Sequence, residues 1–278
     1  MNGIVLINKE KGITSRDVVN KVSKKIGLKK VGHAGTLDPL ATGLMVIGVG
    51  AATKILDLLT LDTKEYIATV KIGVQTDTLD ITGTIMKEKK DYQLTEKQLI
   101  DTFKKFTCSY LQTVPKYSAV KIKGKRLYEY ARNNQDIELP KRGVTIYELE
   151  LLDFQKEQFT FRTLVSKGCY IRSLIDDIGL CLDIPMTMKE LIRTKSGKFS
   201  LENSNNIADE YKVIKIQDAL DFKIIKVTDE VIIKKIKNGN NIELKENMEY
   251  VTLVDKNNEA LAIYKKETKS LFKPFKVF

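Results

Sequence analysis

The chain has 278 residues, with 47 Lys and Arg against 36 Asp and Glu for a net charge of +11, one histidine, three cysteines and no tryptophan. With 42% hydrophobic and 30% charged residues it can bury a real core, which excludes an intrinsically disordered chain. A single histidine excludes a His-His metal site and leaves catalysis to His33 or to carboxylate, tyrosine, lysine, arginine or thiol chemistry.

Cys108, Cys169 and Cys181 lack close paired spacing and support neither a disulfide framework nor a zinc site, so a reducing compartment is expected. The N-terminal apolar run is too short for a signal peptide. The longest later run, around residues 43–52, falls short of the roughly 18 apolar residues of a membrane helix. These features predict a soluble cytoplasmic protein without membrane contact, and the basic excess favours an anionic partner such as nucleic acid.

In chain order, residues 3–7 predict a strand that enters a turn at residues 8–12. A helix follows, capped by Thr14 or Ser15, with Val18, Val19, Val22 and Ile26 on one face and Gly27 as its stop. Its Lys21, Lys24 and Lys25 read as a solvated face. Residues 31–43 are punctuated by glycine without helical or strand period and predict a loop, which leads into an apolar segment at 44–49. Alternation predicts half-buried strands at 66–72 and 159–165, and Thr95 with Gln98 forms a capping box that opens a helix through about Phe106. From Phe222 onward the short runs at 231–233, 250–254 and 260–264 predict a small β domain. The expected architecture is therefore α+β with antiparallel character, divided into residues 1–221 and 222–278.

Asp38 is the most informative position. Pro39 pushes it toward extended geometry, and Gly32, Gly35 and Gly43 let the backbone around it fold tightly or approach a ligand. An isolated Asp-Pro reads as a capped turn. Here, however, the whole stretch His33-Ala34-Gly35-Thr36-Leu37-Asp38-Pro39-Leu40-Ala41-Thr42-Gly43 closely resembles the active-site signature of the tRNA pseudouridine synthase B (TruB) family. Further colinear segments resemble the same family: Leu6-Ile7-Asn8-Lys9, Lys64-Glu65-Tyr66, residues 75–83, Tyr117-Ser118-Ala119-Val120-Lys121, and residues 167–179.

The resemblance implies a pseudouridine synthase core with a mixed, largely antiparallel sheet and flanking helices, followed by a PUA-like RNA-binding domain. The implied activity converts uridine 55 in the T arm of tRNA to pseudouridine, without cofactor, metal, guide RNA or obligatory protein partner. Asp38 is the implied catalytic carboxylate. It acts either by covalent attack on sugar or base, or by removing a sugar proton, and the sequence leaves both routes open. Arg172 is implied to pair with Asp38 and hold it in place. Tyr66 is implied to stack on the target base and help move the C5 proton, Tyr170 to stand near the carboxylate, and Leu191 to form an apolar wall. Read alone, the two tyrosines and Leu191 are ordinary core residues of alternating strands.

His33 reads as a turn residue, and by resemblance as a side chain that enters the RNA loop when the target base leaves it. Lys9 is expected near the cleft as an RNA contact, although Glu10 replaces the family's usual proline after it. Around residues 114–141 the resemblance implies an insertion that closes over the RNA. Within it Lys121, Lys125, Arg126 and Arg132 are interleaved with Tyr117, Tyr128 and Tyr130, cations and aromatic faces suited to an unpaired loop. Two competing readings are a guide-RNA-dependent synthase subunit and a tRNA-folding RNA-binding protein. Leu40-Ala41-Thr42-Gly43 and the Tyr117-Ser118-Ala119 insertion favour the stand-alone enzyme over the first, and the joint presence of Asp38, Tyr66 and Arg172 disfavours a purely noncatalytic protein.

Overall fold

A computed structural model describes residues 1–61, 63–133 and 135–278. The chain opens with β1 (Gly3–Lys9) and α1 (Ser15–Ile26), the latter closed at its start by a reciprocal capping box between Thr14 and Asp17 and ended by Gly27. Next come β2 (Val31–His33), β3 (Thr42–Val49), α2 (Leu56–Thr60) and β4 (Lys64–Ile72). A hairpin of β5 (Val74–Thr76) and β6 (Ile85–Glu88) precedes α3 (Glu96–Phe106), which carries the expected Thr95–Gln98 capping box, and β7 (Ser109–Thr113). Residues 114–140 leave the sheet and contain β8 (Lys121–Ile122), β9 (Lys125–Arg126) and α4 (Leu127–Arg132). The chain returns through β10 (Lys141–Phe154), β11 (Gln158–Val165), α5 (Ile171–Leu182) and β12 (Met186–Ser196), then β13 (Phe199–Ser200) and β14 (Val213–Ile214).

Apart from the two-stranded pairs β5-β6 and β8-β9, these strands form one sheet in the order β14-β1-β3-β12-β4-β11-β10-β7, with β2 added to β3 and β13 to β12. Every pairing is antiparallel except that of β12 with β3, which are parallel where Ile192 meets Thr42 and Arg193 meets Gly43. The fold is thus α+β with a mixed, largely antiparallel sheet, as the sequence implied.

Both faces of β1 are covered. Val5 and Ile7 join α1, α3 and α5 through Val18, Val22, Phe103, Leu174 and Ile178, whereas Ile4 and Leu6 face Ala52, Ile55, Ile216 and Ile263. Double burial explains why β1 and β3 read as continuous apolar runs rather than alternating ones. Ile263 belongs to a second sheet of β15 (Lys223–Lys226), β16 (Ile242–Glu243), β17 (Tyr250–Val254), β18 (Ala260–Lys266) and β19 (Leu271–Val277), with α6 (Glu230–Lys237) packed on it. Among the described residues no helix is long and apolar enough to cross a membrane.

Three local expectations need correction. Residues 31–33 are a strand, because their backbone pairs with residues 47–49 of β3 although the glycines hide any alternation. Residues 231–233 are helical: the Asp229 carboxylate accepts from the Val231 and Ile232 amides, and Ile236, one turn on, is fully buried. Three apolar residues alone do not distinguish strand from helix. Lys25 is not simply solvated, since its ammonium donates to the Ile207 carbonyl at 3.2 Å, the Ala208 carbonyl at 2.6 Å and the Asp209 carbonyl, and lies 4.5 Å from the Tyr211 ring centre.

Phe161 sits at the middle of the sheet, fully buried, with Phe103 of α3 edge-on at 5.7 Å and Phe159 at 6.0 Å. Replacing Phe161 with alanine is expected to lower stability by about 3–5 kcal/mol through lost burial and the cavity left behind, read as a shifted denaturant midpoint at unchanged slope.

Candidate active site

Asp38 stands on the loop of residues 34–41 between β2 and β3, which has no ladder of its own. Its flanks are tied down by neighbours. The Ser15 hydroxyl accepts from the Leu37 amide at 2.8 Å and donates to the Leu37 carbonyl at 2.9 Å, so the first turn of α1 grips the residue before Asp38. The residue after it, Pro39, offers its carbonyl to the Gly12 amide at 2.8 Å and to the Lys9 ammonium at 3.3 Å. Beneath the loop the buried Arg193 donates to the carbonyls of Leu44 at 2.7 Å, Thr36 at 3.2 Å and Gly35 at 3.3 Å. Gly43, at φ 101°, lies against the Arg193 backbone so closely that a Cβ there would collide with it.

Arg172 reaches the carboxylate from α5. Its Nε is 2.9 Å from Asp38 Oδ2, Nη1 donates to the Thr78 carbonyl at 2.8 Å, Nη2 donates to the Tyr117 carbonyl at 3.0 Å, and Asp80 lies 4.0 Å away. The Arg172 side chain is 5% exposed and that of Asp38 is 39% exposed, so the carboxylate is fixed from behind and open in front. It opens into a cleft of about 570 Å³ that is also lined by Tyr66, Tyr170, Arg172 and Leu191.

The strand register explains the convergence. Tyr66 of β4 is paired with Arg193 of β12, and Leu191 lies two residues along on the same face. Tyr170 immediately precedes α5, and its backbone is clamped by the buried Gln112, whose Oε1 accepts from the Tyr170 amide at 2.8 Å while Nε2 donates to the Tyr170 carbonyl at 3.1 Å. Burial raises the Tyr170 hydroxyl above its ordinary value, so the group is held as a neutral phenol. Cys169 also lines the cleft, but burial pushes its thiol up to about 12, which removes thiolate chemistry.

The five residues singled out for the active site therefore line one cleft. The six expected RNA contacts are scattered. Lys121, Lys125, Arg126 and Arg132 are exposed on the 114–140 excursion, with the guanidinium carbons of Arg126 and Arg132 5.8 and 5.4 Å from the Tyr128 ring centre. Tyr128 thus already has cations beside its ring. His33 is half-buried outside the cleft lining, accepts from the Gly35 amide at 3.3 Å through Nδ1, and is held below its ordinary pKa by burial and by Arg16 and Arg193.

Lys9 is a correction. It is fully buried, and its ammonium donates to the carbonyls of Ile13 at 2.8 Å, Glu10 at 2.9 Å and Pro39, which leaves no surface to present to RNA. These bonds hold the turn that Glu10 occupies in place of a proline. Arg193 and Gln112 were missed in the sequence because each acts on residues distant along the chain; only the adjacency of Arg193 to Leu191 hinted at the first.

A family model described as TruB family pseudouridylate synthase (N terminal domain) matches residues 23–171. The tRNA pseudouridine synthase B of Mesoplasma florum is 37% identical over 275 residues, covering 98% of this chain and 96% of its own. That of Geobacillus thermodenitrificans is 42% identical and covered end to end, as is this chain. Among solved structures, a chain from an H/ACA RNP bound to a substrate RNA containing 2′-deoxyuridine superposes with a TM-score of 0.73 at 22% identity, covering 99% of this chain and 84% of that one, a likeness of fold.

Burial lowers Lys9 from 10.5 to about 8, opposed by the nearby Asp38 charge. Replacing Lys9 with methionine is expected to cost about 3 kcal/mol at neutral pH, because three buried carbonyls lose a charged donor. Between pH 8 and 10.5 the unfolded chain holds more protons at this site than the folded one, so wild-type stability rises relative to Lys9→Met across that window. Denaturant unfolding at pH 7 and pH 10 checks both, and a gap that narrows at the higher pH would contradict the assignment.

Proposed function

This chain belongs to the TruB family of pseudouridylate synthases, and from that membership we propose that it isomerises uridine 55 in the T arm of tRNA to pseudouridine with Asp38 as its catalytic carboxylate. The observation that carries the reading is the Asp38–Arg172 pair at 2.9 Å, opening into a cleft walled by Tyr66, Tyr170 and Leu191. The tRNA substrate is supported by relatives named tRNA pseudouridine synthase B at about 40% identity over the full chain, and by the net charge of +11.

The reaction breaks the bond between uracil N1 and C1′, turns the base in place, joins C5 to C1′, releases the C5 proton and leaves N1 carrying a proton taken up in its stead, so that the net change is an isomerisation. No redox step or group donor enters that balance. Asp38 begins it either by covalent attack or by taking a sugar proton, and a carboxylate held on one side and open on the other suits both routes. Tyr66 and Leu191 bracket the uracil and keep water from it, while the Tyr66 hydroxyl accepts a role in moving the C5 proton. Arg172 fixes the direction of the carboxylate. The exposed cations of residues 121–132 meet the RNA backbone around the target, and residues 222–278 act as a PUA-like RNA-binding unit. His33 enters the RNA loop as the base leaves.

With tRNA tritiated at uracil C5 and no guide RNA, wild type is expected to release tritium and Asp38→Asn to release it at least about a thousandfold more slowly. Undiminished release by the variant overturns the mechanism. Lys121→Ala and Arg126→Ala are each expected to weaken tRNA binding and to flatten log Kd against log salt by about one. A salt slope identical to wild type in both would remove residues 121–126 from the interface.

A further inference from the structure

Arg142 and Lys167 line the same cleft as Asp38, both are exposed, and among the described residues neither side chain makes an ion pair or hydrogen bond. Their backbones are nonetheless firmly placed. Arg142 is paired in register with Gln112, the residue that clamps Tyr170. Lys167 and Gly168 make the turn between β11 and α5, and the Ser166 amide just before them donates to the Thr145 carbonyl of β10 at 2.9 Å.

Gly168 has φ 79°, and a Cβ on it would stand 2.9 Å from Arg142 Nη1 and 3.0 Å from Arg142 Cδ. The guanidinium therefore lies across bare backbone, in space that any side chain at 168 would take. Its charge reaches the Tyr170 hydroxyl within the cleft.

A planar fork and a neighbouring ammonium, paired with no acid among the described residues and set at the mouth of a cleft, are suited to an oxyanion with several oxygens. A uridine turned out of its stack brings its two flanking phosphodiesters with it. With uracil between Tyr66 and Leu191, a flanking phosphate is left at the cleft mouth. We propose that Arg142 and Lys167 form a phosphodiester subsite that grips a phosphate next to the reacting nucleotide and so holds its sugar against Asp38. The subsite rests on the pseudouridylation reading, and the two are separable by experiment.

The full-length wild type, Arg142→Gln and Lys167→Gln are compared on T-arm stem–loop RNAs that carry either all phosphodiesters or one uncharged methylphosphonate immediately 5′ or 3′ of the reactive uridine. At one of the two linkages the wild type is expected to lose about tenfold in affinity, and the loss is expected to shrink to about twofold in each variant. A methylphosphonate penalty of full size in both variants overturns the subsite, as does the absence of any penalty at either linkage in the wild type. Tritium release by wild type from the unmodified RNA reports on pseudouridylation separately, because the affinity comparison does not depend on turnover.

Discussion

The geometry of the cleft depends on one buried guanidinium. Arg172 is the only group among the described residues placed to pair with Asp38, and it simultaneously holds the Thr78 and Tyr117 carbonyls. Those carbonyls belong to the loop after β5 and to the start of the 114–140 excursion, so one planar fork joins the carboxylate to two segments that line a second, smaller pocket on its other side. A buried cation with this many oriented acceptors is costly to disturb, since losing any partner leaves charge or carbonyl uncompensated. The loop bearing Asp38 is fixed from its other sides by Ser15, Lys9 and Arg193, and their bonds to backbone carbonyls substitute for the ladder it lacks.

The division between buried and exposed cations gives the net charge a structure. Lys9, Arg172 and Arg193 are inside, each hydrogen-bonded to backbone carbonyls and Arg172 also paired with Asp38, and they act on the protein itself. Arg126, Arg132, Arg142 and Lys167 are outside. The single histidine, at first a candidate catalyst, lies outside the cleft lining and is held below its ordinary pKa by burial and nearby arginines.

Much of this was legible in the sequence where signals are local. Thr14 or Ser15, Thr95 with Gln98, and Gly27 marked helix ends because capping acts over three or four residues. The alternation of β11 was visible because one face is buried. The five cleft residues were found through resemblance to a family, not from periodicity, since Tyr66 and Leu191 look like any buried strand residue. What stayed hidden was set by contacts between distant positions: Lys9 with Pro39, Gln112 with Tyr170, and Arg193 with the loop of Asp38. Lysine at position 9 carries no sign of burial until the acceptors around it are known, and residues 231–233 became helical through a cap and a packing partner outside the apolar run.

The central claim, that the fork of Arg172 aims Asp38, is tested most directly by Arg172→Lys in single-turnover and steady-state tritium-release assays. Lysine keeps the positive charge but lacks the planar fork whose three separate nitrogens are spaced toward Asp38, Thr78 and Tyr117. A misdirected carboxylate is expected to lower kcat by about a hundredfold while KM changes little. A variant that turns over at the wild-type rate would contradict the account.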